Sequence, residues 1–140
     1  MAKARVAGTE RPRREDVPLV TGEAQYTDDF QPPETAYAAI LRSQHAHAGI
    51  DSIDTEAAEA LDGVVAVFTS DALDEAGTDG RFRISGSFPG QRATEFSILA
   101  RDVVRYTGEP IAVAIADDRY RAHEALDLVE VAYERRDAVA

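Results

Sequence analysis

The longest uninterrupted apolar run in the chain, PIAVAIA at residues 110 to 116, is seven residues long, and that length limits the fold before any other feature does. A bilayer-spanning helix needs roughly 20 apolar residues in a row, so no membrane span is encoded; seven residues suit a strand. TAYAAILRS at 35 to 43, with Tyr37, Ile40 and Leu41, is apolar on consecutive positions, the pattern of a strand covered on both faces. VVAVFT at 64 to 69 reads as another buried strand.

The remaining elements fall between these runs. AGIDSID alternates at Ile50 and Ile53 as a short strand, and Asp54 or Thr55 then caps a short helix over TEAAEAL, with Ala57, Ala58 and Leu61 on one face and Gly63 suited to a left-handed position beyond it. Ser70 caps a stub of helix through Leu73. DVVRY at 102 to 106 resumes the core, TGEP makes a tight turn in which Gly108 permits positive φ, and PIAVAIA follows. Asp117 or Asp118 caps the strongest helix, whose Ala122, Ala125, Leu126 and Val129 recur at i, i+3, i+4 and i+7. VEVAYE alternates Val129, Val131 and Tyr133 as a last strand. About five strands and two helices, mixed rather than strictly alternating, favour an α+β fold, one sheet with helices packed on it, over a doubly wound parallel sheet.

A chain of 140 residues suits one domain. Residues 1 to 18 have scattered charge, Pro12, Pro18 and no apolar periodicity, and are expected to form an extended basic arm, leaving 19 to 140 as the domain. Within it, residues 74 to 97 read as a long irregular loop, broken by Gly77, Gly80, Gly86, Pro89 and Gly90, with Arg81, Arg83 and Arg92 between them. A loop of that length usually covers a partner or is disordered.

Charge and composition exclude several classes. The first fourteen residues carry Lys3, Arg5, Arg11, Arg13 and Arg14 against Glu10; the remainder holds 10 basic against 25 acidic residues, a balance of −15. So acidic a body argues against nucleic acid as a partner. Lys3 is the single lysine, a usage that fits a salt-loving source, a GC-rich genome or an ordinary acidic cytosolic protein. Residues 1 to 20 contain no apolar stretch ahead of a cleavage site, so no secretory leader is expected and the cytoplasm is the default location. Cys is absent, which removes disulfides, thiol nucleophiles and iron–sulfur ligation by this chain.

The strongest chemical candidate is RSQHAHAGI at 42 to 50, where His45 and His47 stand two apart, the spacing by which a strand presents two imidazoles to one metal. Zinc sites take three or four ligands, and His123 on the C-terminal helix is the one other histidine. No metal ligand is therefore assigned; the rings are expected to cap backbone groups or stack on a neighbour. No G-x-S-x-G occurs, and Ser85 and Ser87 in ISGSFPG lack a preceding strand. Neither a dinucleotide nor a triphosphate loop is present. Glu109 can project from its turn as a general base, or serve as a solvated or interface turn residue. The loop arginines can clamp an anion or pair with the chain's own carboxylates. From the residues alone the chain has no catalytic, cofactor-binding or metal-binding residue to name.

Three phrases in this order, PRREDVPLVTGEAQYTDD (12 to 29), YAAILRSQHAHAGIDSIDTEAAEALDGVVAVFTSDAL (37 to 73) and VRYTGEPIAVAIADDRYRAHEALDLVEVAYE (104 to 134), resemble the N-terminal part of the molybdopterin-binding large subunit of the xanthine dehydrogenase, aldehyde oxidase and carbon monoxide dehydrogenase family. Gln44 stands where that family usually has Pro. The resemblance implies an α/β-hammerhead domain and an architectural role in a molybdenum hydroxylase acting on N-heterocycles, aldehydes or related molecules. It also implies molybdopterin, 2Fe–2S clusters and FAD in the assembled enzyme, with the remaining molybdenum-binding domains, an iron–sulfur subunit and an FAD subunit as partners, and no nucleic acid or membrane. The basic arm and the 74 to 97 loop are the expected contact regions. A stand-alone small-molecule binding or interaction module with the same fold is the alternative.

Overall fold

The computed structural model describes residues 12–84, 90 and 94–138. They fall into two compact units, one ending at Pro33 and one beginning at Glu34.

In the first unit, helix α1 (Asp16–Thr21) occupies part of the stretch expected to be extended. Asp16 explains its start: its carboxylate accepts the Arg13 backbone N–H at 2.8 Å and the Arg13 guanidinium at 3.1 Å. Pro18 is tolerated because it sits in the first turn, where its missing N–H is not needed. Gly22, at φ 77°, closes the helix, and Pro18 O accepts the N–H groups of Glu23 and Ala24. A 3-10 turn (Thr27–Asp29) follows, held by the Tyr26 N–H on the Asp29 carboxylate at 2.9 Å. Of the predicted basic arm, residues 1 to 11 lie outside the described residues.

The second unit is α+β, as the residue pattern implied, with its strands divided among three antiparallel sheets rather than joined in one. The first has the order β1 (Tyr37–Arg42), β7 (Pro110–Ala116), β3 (Val64–Phe68). The second runs β6 (Val103–Val104), β2 (Ala48–Asp54), β8 (Glu130–Arg135). The third is a hairpin of β4 (Arg81–Ile84) and β5 (Thr94–Ser97), which corrects the reading of 74 to 97 as irregular throughout. Phe82 opposite Phe96 supplies the cross-strand pair that holds it, their rings stacked at 5.6 Å. DVVRY contributes only the two residues of β6.

Strand β7 explains why its run is unbroken. Ala114 and Ala116 belong to one buried cluster with Ala39, Ala58, Val67, Ala122, Ala125 and Leu126, whereas Ile111 belongs to a second with Ala48, Ala100 and Val104. A strand that contributes to two cores needs apolar residues in both phases of its alternation. The first core is built mostly of alanine, and these short side chains let helix α4 (Arg119–Asp127) pack closely on β1 and β7, with α2 (Glu56–Glu59) beside it.

Capping follows the sequence in two of the three helices for which the sequence offered a cap. Asp118 accepts the Tyr120 N–H at 2.7 Å and starts α4, and Asp54 accepts the Glu56 N–H at 3.0 Å at the start of α2. Helix α3 (Ser70–Glu75) is capped by Thr69, not Ser70: Thr69 is extended and its hydroxyl accepts the Ala72 N–H, while Ser70 is buried as the first helical residue.

Gly63 has φ +87°, and a Cβ there would lie 2.1 Å from the Arg121 guanidinium and 2.6 Å from Asp117 Oδ1. Gly63→Ala is therefore expected to displace the Arg121–Asp117 pair and strain the backbone, costing about 1–2 kcal/mol in urea unfolding.

Candidate functional site

The phrase RSQHAHAGI leaves the end of β1 and enters β2, so its residues sit where the two larger sheets meet. The buried Ser43 hydroxyl accepts the His45 N–H at 3.0 Å and donates to the His45 carbonyl at 2.9 Å, which fixes the bend. His45 then meets Tyr133 of β8 edge-on, with centroids 4.7 Å apart. His47 Nδ1 lies 2.7 Å from the Asp137 carbonyl; a carbonyl can only accept, so this nitrogen carries the hydrogen. Its own carbonyl accepts the Arg136 N–H at 3.1 Å. One imidazole thus packs edge-on against a neighbour rather than stacking on it, and the other caps the backbone just past β8. His123 is exposed on α4, and among the described residues no group of three His, Asp or Glu is arranged to hold a metal.

Glu109, a candidate base or a solvated or interface turn residue by sequence, is 6% exposed and therefore not solvated. Its Oε2 accepts the Arg105 backbone N–H at 2.5 Å, and its Oε1 lies 3.6 Å from the Arg105 guanidinium. The backbone around it extends the β1–β7 pairing, with the Ser43 N–H on Glu109 O at 2.9 Å and the Gly108 N–H on Ser43 O at 2.8 Å. Gly108, at φ 94°, provides the turn. Glu109 is therefore a tie that closes the Arg105-to-Pro110 turn.

That turn and the hairpin border a cleft of about 500 Å³, walled in part by Phe82, Phe96, Ile98, Tyr106 and Pro110. Its apolar walls suit a flat hydrophobic group. Glu109 reaches it with both oxygens engaged by Arg105, and Glu95, Ser97 and Arg105 also line it. Ser85, Ser87 and Arg92 lie outside the described residues. Arg81 faces Glu95 across the hairpin at 3.8 Å, so this loop arginine pairs with the chain's own carboxylate.

Sequence reasoning passed over Arg101. Its guanidinium grips Asp74 through NH1, and through NH2 at 2.9 Å, and it also reaches Asp79 O at 3.4 Å, joining the end of α3 to the segment before β6. No spacing rule links positions so far apart. The hydrogen bond from Arg101 holds the Asp74 carboxyl below its usual range, against a smaller opposing effect of burial. A depressed carboxylate pKa contributes stability above the unfolded value, near 3.8, that is lost as pH falls through the folded one. Asp74→Asn is expected to lower the urea midpoint at neutral pH, with the gap to the parent closing in acid.

The chain has no Cys and so offers an iron–sulfur cluster no thiolate, and among the described residues no group of three His, Asp or Glu could hold a metal ion. Residues 21–137 match the profile described as aldehyde oxidase and xanthine dehydrogenase, a/b hammerhead domain. This chain belongs to that family. As a hammerhead domain it is 38% identical over 136 residues to the nicotine 6-hydroxylase large subunit of Paenarthrobacter nicotinovorans, covering 96% of this chain and 16% of the relative. It is 37% identical to the carbon monoxide dehydrogenase large chain of Afipia carboxidovorans, covering 91% of this chain and 15% of that one. The crystal structure of quinoline 2-oxidoreductase from Pseudomonas putida 86 superposes with a TM-score of 0.86 at 38% identity, over 94% of this hammerhead and 16% of that chain. The chain thus spans about one sixth of the length of these three relatives. Among the described residues no helix is long and apolar enough to cross a membrane.

Proposed function

We propose that this hammerhead domain works as an architectural part of a molybdenum hydroxylase large subunit, supporting oxidative hydroxylation of a small N-heterocycle, aldehyde or related substrate, and supplies packing rather than catalytic groups. The observation that carries the reading is the superposition on quinoline 2-oxidoreductase, where nearly the whole chain matches a small share of a much larger one. The names of the relatives, a nicotine hydroxylase and a quinoline oxidoreductase among them, support N-heterocycles as the substrate class. The molybdopterin, 2Fe–2S clusters and FAD of the working enzyme are held by other domains and subunits, the assembly is cytoplasmic, and the basic N-terminal residues and the 74 to 97 segment with its hairpin are its contacts.

Purification of the tagged polypeptide from its native source is expected to bring down an iron–sulfur protein and molybdenum. Recovery of neither, with a monodisperse protein of 15.2 kDa, would favour a stand-alone binding module that uses the aromatic cleft.

A further inference from the structure

One face of the β1–β7–β3 sheet is closed by α4 and α2 through Ala39, Ala114, Ala116 and Val67. Strand alternation puts Ala38 and Ile40 of β1, Val113 and Ile115 of β7, and Ala66 and Phe68 of β3 on the opposite face. The register stacks them in two rows across all three strands, Ala38–Ile115–Ala66 and Ile40–Val113–Phe68. None of the six carries a charge or a hydrogen-bonding side chain. Ile111, the next residue of β7 on this face, is fully buried in the second core with Ala48, Ala100 and Val104. Cover therefore exists at the Ile111 end and stops: Val113, Ile115, Ala66 and Phe68 are half-buried, Ala38 is exposed, and Ile40 is 43% exposed.

A sheet face that meets water normally alternates polar residues outward. This face is instead the continuation of a core, cut open, as permanent interfaces are. We infer that it is the docking surface for the remainder of the large subunit, which presents an uncharged aliphatic surface to it. The inference rests on the proposed function. Two observations select this occupant. A charged partner would lose its hydration against six apolar side chains and gain no hydrogen bond in return. A domain that makes up about one sixth of its relatives' length has the rest of that polypeptide as its nearest large surface.

The test uses the full-length large subunit carrying this sequence, co-expressed with its partner subunits. Ile40→Lys and Ala38→Lys are compared with Tyr120→Lys, a control on α4 where the parent residue is 82% exposed. The yield of assembled, molybdenum-containing enzyme is expected to fall roughly tenfold or more in the first two, because a buried lysine there has no partner, and to stay at the parent level in the third. Ala38 lies exposed on an edge strand, so lysine is compatible with the domain's own fold, and limited proteolysis of the soluble protein checks that the domain is intact. Assembly of both variants at the parent level would overturn the docking surface while leaving the proposed function standing. Retained molybdenum with loss only of a dimer between hammerheads would also overturn it, assigning the face to a second copy. A parent protein without molybdenum would overturn the proposed function, and the docking with it.

Discussion

Ile111→Ala is expected to lower the unfolding free energy by about 2–5 kcal/mol, the range for emptying a buried aliphatic site that relaxes incompletely. Ile111 is one of the two largest fully buried side chains, and it sits where β7 passes from the first core to the second. The other buried members of its cluster, Ala48, Ala100 and Val104, belong to backbone held by sheet pairing and by the Ala100 N–H on Pro110 O at 2.7 Å. The partly buried Ile50, Ile53, Val131 and Tyr133 pack from strands β2 and β8, whose pairing limits how far they can move in. Urea unfolding should give a lower midpoint with an unchanged slope. A loss below about 1 kcal/mol would mean that the second core is not packed as described.

Ala114→Leu should destabilise by the opposite means. Ala114 is fully buried at the centre of β7, paired with Ala39 on one side and Val67 on the other, in the cluster that includes Ala122 and Ala125 of α4. Three added carbons have no void to enter, and the helix must move off the sheet. Overpacking of this kind costs about 1–3 kcal/mol and occasionally more. The paired change Ala114→Leu with Leu126→Ala tests the mechanism: partial recovery is expected if crowding is the cause, and further loss if it is not.

The sequence made the strands at 37, 64 and 110 legible as short unbroken apolar runs, and the helix at 119 legible because its apolar residues repeat with the helical period. It did not reveal which strand pairs with which. Alternation specifies a face and not a neighbour, so a single sheet was as consistent with the residues as the divided arrangement observed. The hairpin escaped because RFRI and TEFS are four residues each with charged or polar residues in one phase, too short to stand out between glycines. Thr69 and Ser70 are both good caps, and only the backbone conformation distinguishes them.

The candidate chemistry was legible in kind more than in place. RSQHAHAGI was identifiable as a strand end, yet the partners of its rings, Tyr133 and the Asp137 carbonyl, lie some ninety positions along the chain. Glu109 is the clearest miss. A glutamate after a turn glycine is ordinarily exposed, and its burial follows from an acceptor role toward Arg105 that depends on how the turn folds. The Arg101–Asp74 tie is of the same sort.

The central claim is that this domain contributes packing and no reacting group. Glu109→Gln in the assembled enzyme tests it most directly, because Glu109 is the buried carboxylate that could act as a base. Turnover per bound molybdenum and its pH profile should match the parent enzyme, with a stability loss of about 1 kcal/mol for the weakened tie to Arg105. A fall in turnover per molybdenum, with loss of one limb of the pH profile, would contradict it.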